Sequence, residues 1–135
     1  MQMQRRVTFA LAMAAMLVGA APAALPPQFP VATLDVPQDK GAQEVQVIRR
    51  TFPVGGASGW HVHPGVEIAY VLSGTMALDT PGQPRRVLRA GESFMMPRGA
   101  ALNGVNLGRR PAELLITYTL DKGAAQRTSV APPAP

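Results

Sequence analysis

The chain contains no cysteine. That absence excludes disulfides, thiolate metal ligands and cysteine nucleophiles, and also a lipid anchor built on a cysteine at a cleavage site. Helical periodicity is missing too. Beyond the amino-terminal apolar run, no stretch of ten residues keeps a 3.6-residue apolar repeat without a glycine or proline, so helix content should be low. Charge is sparse. The formal net charge is +5, and without Arg5 and Arg6 it becomes +3, too mild an excess to argue for a nucleic-acid partner. Arg85, Arg86 and Arg89 form the densest basic group and read as a solvated hairpin edge.

One long hydrophobic run exists, and it lies at the amino terminus. Two arginines precede an apolar stretch from Val7 to Ala20, followed by small residues and proline. A basic start, a short apolar core and the small-residue site Ala21-Pro22-Ala23 describe a secretory signal, here residues 1–23, cleaved before Ala24. The alternative is a retained membrane anchor, but Gly19, Pro22 and an alanine-rich second half weaken it. The expected location is therefore periplasmic or secreted, with no membrane contact after cleavage. Arg5-Arg6 leaves the Sec and twin-arginine routes both open.

Residues 24–30 form a proline-rich lead-in, and the tail at 123–135 lacks apolar periodicity and is expected to be disordered. Between them, over 31–122, short alternating runs recur: EVQVIRRTF (44–52), VEIAYVL (66–72), TMALD (75–79), RRVLR (85–89), SFMM (93–96) and AELLITYTL (112–120). Glycine, proline or asparagine interrupts them at close intervals. Many short strands with frequent turn signals favour an all-β, single-domain antiparallel sandwich or barrel.

The chemistry is concentrated in GWHVHPGVE, residues 59–67, which holds both histidines of the chain. On an extended strand His61 and His63 share a face, ~6.6 Å apart along the chain. Pro64-Gly65 is a turn candidate, and folding the next strand back on the first brings Glu67 beside the imidazoles. Two neutral imidazoles and a carboxylate with open positions suit Fe(II) and related divalent ions. The competing reading is a self-satisfied triad, in which a protonated imidazole hydrogen-bonds the buried carboxylate and no metal is needed. No serine–histidine–acid arrangement is supported, since both histidines are used here, and the glycines do not resemble a phosphate loop. Trp60 and Tyr70 have the parity of outward residues. Met76, Phe94 and Met96 suit core filling or a pocket wall, and Tyr118 is an inward hydroxyl of no assigned role.

These spacings resemble the cupin superfamily, and specifically its small single-domain bacterial (type-2) members. Gly55, His61, His63, Glu67 and Gly74 fit the first cupin motif, and Gly91, Pro97, Gly99 and Asn106 fit the second. The resemblance implies a jelly-roll barrel and a divalent metal (iron, manganese, nickel, zinc or copper) held by His61, His63 and Glu67. The second motif departs at Leu102, which stands where metal-binding cupins carry a fourth ligand, a histidine. Asn103 is adjacent, but alternation turns it away.

The resemblance is specific for fold and weak for reaction, because one fold hosts many chemistries. Two functions follow as expectations. One is a metal-dependent enzyme with oxygenase-, isomerase- or lyase-like chemistry on a small organic substrate. The other is a non-catalytic small-molecule or metal-binding protein with a degenerate site, which Leu102 favours. Cupin domains commonly share edge strands, so a homodimer is expected, with the long strand 112–120 needing cover.

Overall fold

Alternating side chains become strands with one buried face, and all six alternating runs read from the sequence are present as strands. In a computed structural model, residues 41–134 are described; the expected signal at 1–23 and the lead-in at 24–30 lie outside the described residues. Nine strands follow in order: β1 (Gln43–Phe52), β2 (His61–Val62), β3 (Gly65–Ser73), β4 (Thr75–Asp79), β5 (Arg86–Arg89), β6 (Ser93–Met96), β7 (Asn103–Asn106), β8 (Ala112–Asp121) and β9 (Thr128–Ser129). No helix occurs among the described residues.

Two antiparallel layers enclose the core. One is the sheet β1-β8-β3-β6 and the other is β5-β4-β7. The ribbon β2-β9 extends the second layer, because His61 bridges Leu102 and Ala57 bridges Val105 of β7. Every pairing is antiparallel. The core lies between the layers. Ala69 and Val71 of β3, with Leu114, Ile116, Tyr118 and Leu120 of β8, meet Met76 and Leu78 of β4, Leu88 of β5 and Leu102. The first layer's outer face stays partly bare, with Val45, Val47, Ile68 and Tyr70 exposed.

Two short strands escaped the sequence reading, β7 (NGVN) and the two-residue β9, while the strand read at His61 is only the two-residue β2. None carries an apolar alternation of its own, so tertiary pairing alone makes them strands.

Two expectations need correction. The tail expected to be disordered carries β9, whose Ser129 and Thr128 pair with His61 and Val62. Its composition shows no apolar face because it is held by backbone pairing and polar contacts: Val130 N–H donates to Trp60 carbonyl, Arg127 to Ser58 carbonyl and Gln126 to Gln46. The second concerns Pro64-Gly65. It does not fold β3 back on β2, because β2 pairs with β9 whereas β3 lies between β6 and β8. Pro64 is instead a bend that carries the chain from one layer to the other. Gly65 is needed for close approach there: a Cβ at this position would sit 1.9 Å from the Thr119 carbonyl oxygen of β8.

The matched motif positions are structural. Gly74 has φ +87°, and a Cβ there would meet Ala112 at 2.7 Å, so both conformation and space demand glycine. Asn106, 2% exposed, places its Nδ2 within 3.1 Å of the carbonyls of Phe52, Pro53 and Arg110 and accepts from Gly108 N–H. It ties the end of β1 to the loop before β8.

Candidate metal centre

Strand alternation on β3 sends Glu67, Ala69 and Val71 inward and Tyr70 outward, as expected. Glu67 sits between Met96 of β6 and Tyr118 of β8 in the cross-strand register. His61 and His63 enter from the opposite layer. The bend at Pro64 closes the gap, and Arg98 holds it by donating to the Pro64 carbonyl (2.8 Å) while pairing with both carboxylate oxygens of Asp121 (2.6 and 2.7 Å). Gly99 N–H also donates to the His63 carbonyl, so the second motif braces the first.

The three groups meet in the interior. One ligand atom from each of His61, His63 and Glu67 lies within 4.8 Å of the others, and all three residues are buried. The imidazoles stand edge to face, with ring centroids 4.8 Å apart. Each has its Nδ1 tied to a backbone carbonyl: His61 to Gly59 at 2.7 Å and His63 to Gln126 at 2.6 Å. A carbonyl only accepts, so Nδ1 carries the proton and a neutral ring keeps a lone pair at Nε2.

The contact that a self-satisfied triad needs, an imidazolium Nε2–H on the Glu67 carboxylate, is not completed as a hydrogen bond among the described residues. His63 Nε2 and Glu67 Oε2 approach to 3.3 Å, yet both are buried and neither has a hydrogen-bond partner among the described residues. Two acceptors facing each other in a dry interior repel unless a proton or cation lies between them. Burial lowers the His61 pKa from 6.5; its hydrogen bond to Gly59 opposes this, and the Arg127 and His63 charges add to it. His61 is therefore neutral near pH 7, the form a metal requires. Unpartnered buried acceptors, fixed Nδ1–H tautomers and a carboxylate together fit a divalent cation.

Leu102 faces this cluster. His61 N–H donates to Leu102 carbonyl (3.1 Å) and Leu102 N–H to His61 carbonyl (3.0 Å), so the two side chains project from one face as a hydrogen-bonded pair. Leu102 is 2% exposed and belongs to the core. The fourth-ligand direction is therefore apolar. Asn103, of opposite parity, turns toward Asp79 instead.

A cavity of about 20 Å³ opens beside the cluster, bounded by His61, Glu67, Leu102 and Tyr118 together with Arg50 and apolar side chains. Met76 and Phe94 serve both readings made of them, as cavity wall and core; Met96 lies in the core outside this cavity. The Tyr118 ring packs on His63 at 4.7 Å. Burial, then the Glu67 charge, pushes its phenol pKa well above the ordinary value, so it remains a neutral O–H donor.

Sequence reasoning missed three participants. Gly59 and Gln126 act through their carbonyls, which any residue supplies, so no side-chain signal existed. Arg50 left a signal that went unused, a charge at an inward position of β1.

Comparison with known proteins agrees with this fold. Residues 48–118 match the cupin domain family. Oxalate oxidase 2 of Hordeum vulgare is 33% identical over 98 residues, covering 65% of this chain and 44% of the relative. The chain spans less than half the length of the curated relatives it matches. A solved oxalate oxidase in complex with the substrate analogue glycolate is 30% identical, with a TM-score of 0.54 over 59% of this chain and 44% of that one. A DMSP lyase from Ruegeria pomeroyi is 25% identical, with a TM-score of 0.57 over 63% and 42%. An oxidase and a lyase on one scaffold bear on fold more than on reaction.

Proposed function

The chain belongs to the cupin domain family, and on that footing we propose that it binds a divalent metal through His61, His63 and Glu67 and acts on a small organic substrate. The observation that carries this reading is the pair of buried, unpartnered acceptors, His63 Nε2 and Glu67 Oε2, beside imidazoles whose Nδ1–H groups are already committed. A bound ion would supply Lewis-acid or redox chemistry to an oxygen-bearing substrate. Iron, manganese, nickel, zinc and copper remain the candidate ions, and the relatives named for oxalate, one solved with the substrate analogue glycolate, support a small oxygen-rich acid as substrate.

The protein's own groups have separable tasks. Gly59 and Gln126 hold the imidazole tautomers through their carbonyls. Neutral Tyr118 offers a proton-bearing hydroxyl in the cavity wall, where Phe52, Phe94 and Leu102 exclude water. Glu67, when not ligating, is placed to accept a proton from a ligand in that cavity.

The test is metal analysis of the purified protein. Roughly stoichiometric divalent metal is expected, lost in the double variant His61→Ala, His63→Ala. A protein that no first-row divalent ion loads would end this reading. The second reading, a non-catalytic small-molecule or metal-binding protein, draws on Leu102, which fills the fourth-ligand direction with a side chain that binds nothing. Stoichiometric metal with no turnover of small hydroxy- or dicarboxylic acids would favour it.

The setting is part of the proposal. The amino-terminal segment supports an exported protein, periplasmic or secreted, which cell fractionation would test. The exposed Val45, Val47, Ile68 and Tyr70 on the first layer support a homodimer. Light scattering should give twice the chain mass, falling to one in Val47→Glu.

A further inference from the structure

Most arginines whose side-chain contacts are resolved answer to an acceptor. Arg49 pairs with Glu113 at 2.9 Å, Arg85 with Asp79 at 2.6 Å, and Arg98 with Asp121 at 2.6 Å, while Arg127 donates to the Ser58 carbonyl at 2.8 Å. Arg50 is different. It stands half-buried on the inward face of β1, opposite Leu114, and its guanidinium lies 5.4 Å over the Phe52 ring. Among the described residues it makes no hydrogen bond and no ion pair, although it carries five N–H donors. It also borders the cavity that His61, Glu67 and Tyr118 enclose.

We propose that Arg50 is the recognition residue for a small carboxylate whose other end meets the His61–His63–Glu67 cluster. Three observations converge on it. The first is geometric: the guanidinium lies over Phe52 and lines the cavity, and its planar fork matches the two oxygens of a carboxylate. The second is charge, and it rests on the metal reading above. Glu67 is the one carboxylate in the cluster, and Arg50 and Arg127 both act on it or its neighbours, so a bound divalent cation leaves an excess of positive charge that an anion would balance. The third is size. A space of about 20 Å³ favours a two- or three-carbon acid over a sugar or an aromatic acid, and Arg50 is among the residues that line it. The surrounding apolar wall strengthens a charge-assisted hydrogen bond by excluding water.

A rival explanation exists for an inward charge on β1, an edge strand of its sheet. Such charges deter edge-to-edge aggregation and need no ligand. The two roles separate in a binding experiment. Glycolate and its neutral isostere glycolamide are titrated by calorimetry into the full protein, as wild type, Arg50→Met and Arg50→Lys, with the metal content of each sample measured. Arg50→Met should weaken glycolate by at least about tenfold and leave glycolamide unchanged. Arg50→Lys should fall between, because it keeps the charge and loses the fork. Because lysine keeps the charge at this position, it serves if the methionine variant folds poorly. Unchanged glycolate affinity in a variant of wild-type metal content overturns the proposal, as does a wild type that binds no glycolate. Arg50-dependent glycolate binding in a protein that holds no metal upholds Arg50 and overturns the metal reading.

Discussion

His63 donates its Nδ1–H to the main-chain carbonyl of Gln126, 63 residues further along the chain, at 2.6 Å. A ligand of the candidate metal centre is thus oriented by the segment just before β9. Losing a partner of this kind costs ~10–100-fold in metal affinity. Truncation after Ala124 removes Gln126 and β9 together, and competition with a chelator should show a loss in that range. An unchanged affinity would mean the imidazole is oriented without the tail.

Leu102→His restores a nitrogen in the direction that Leu102 now fills, since its backbone pairs with His61. Metal affinity should rise at least about tenfold. Without metal the same change buries a polar ring in the core, costing about 1–3 kcal/mol. The variant should therefore melt below wild type when metal-free and gain more from added metal. No gain would show that Leu102 does not point at the ion.

Acid should destabilise the metal-free protein through His61. Its pKa is lowered in the fold, chiefly by burial, from an ordinary value of 6.5. Between the two values the unfolded chain binds more protons, so stability falls as pH falls. The contribution is complete above about pH 6.5 and is lost as pH drops through the folded-state value. Denaturation midpoints should decline from pH 7 to 5, and His61→Gln should flatten that decline. Parallel profiles for the two proteins would remove His61 as the cause.

Gly65→Ala places a methyl group 1.9 Å from the Thr119 carbonyl oxygen, a backbone atom that cannot swing aside. β3 would have to part from β8, taking Glu67 from its place. A loss of upwards of about 2 kcal/mol is expected in denaturant titration, together with weaker metal binding. Near-wild-type stability would show that β3 and β8 separate there at little cost.

Much of the site was legible because its constraints are local. His61 and His63 share a face by strand parity, and Glu67 follows at ligand spacing whatever the rest of the chain does. Tyr70 outward and Asn103 turned from the cluster follow from the same rule. The route by which Glu67 reaches the histidines was not legible. Pro64-Gly65 looks the same whether it makes a hairpin or a bend between layers, and only the partners of β2 and β3 distinguish them.

The sequence by itself determined an all-β chain, the inward faces of its long strands, and two histidines and a glutamate spaced to converge. These depend on period-two alternation and on glycines at turns, both written in consecutive residues. Tertiary structure alone decided that Gln126 and Gly59 hold the imidazole tautomers, that Leu102 stands opposite His61, and that Arg50 meets the cavity without a hydrogen-bond or ion-pair partner among the described residues. Backbone carbonyls carry no residue signature. Cross-strand register depends on every strand between the partners, so contacts of this kind exist only once the layers have closed.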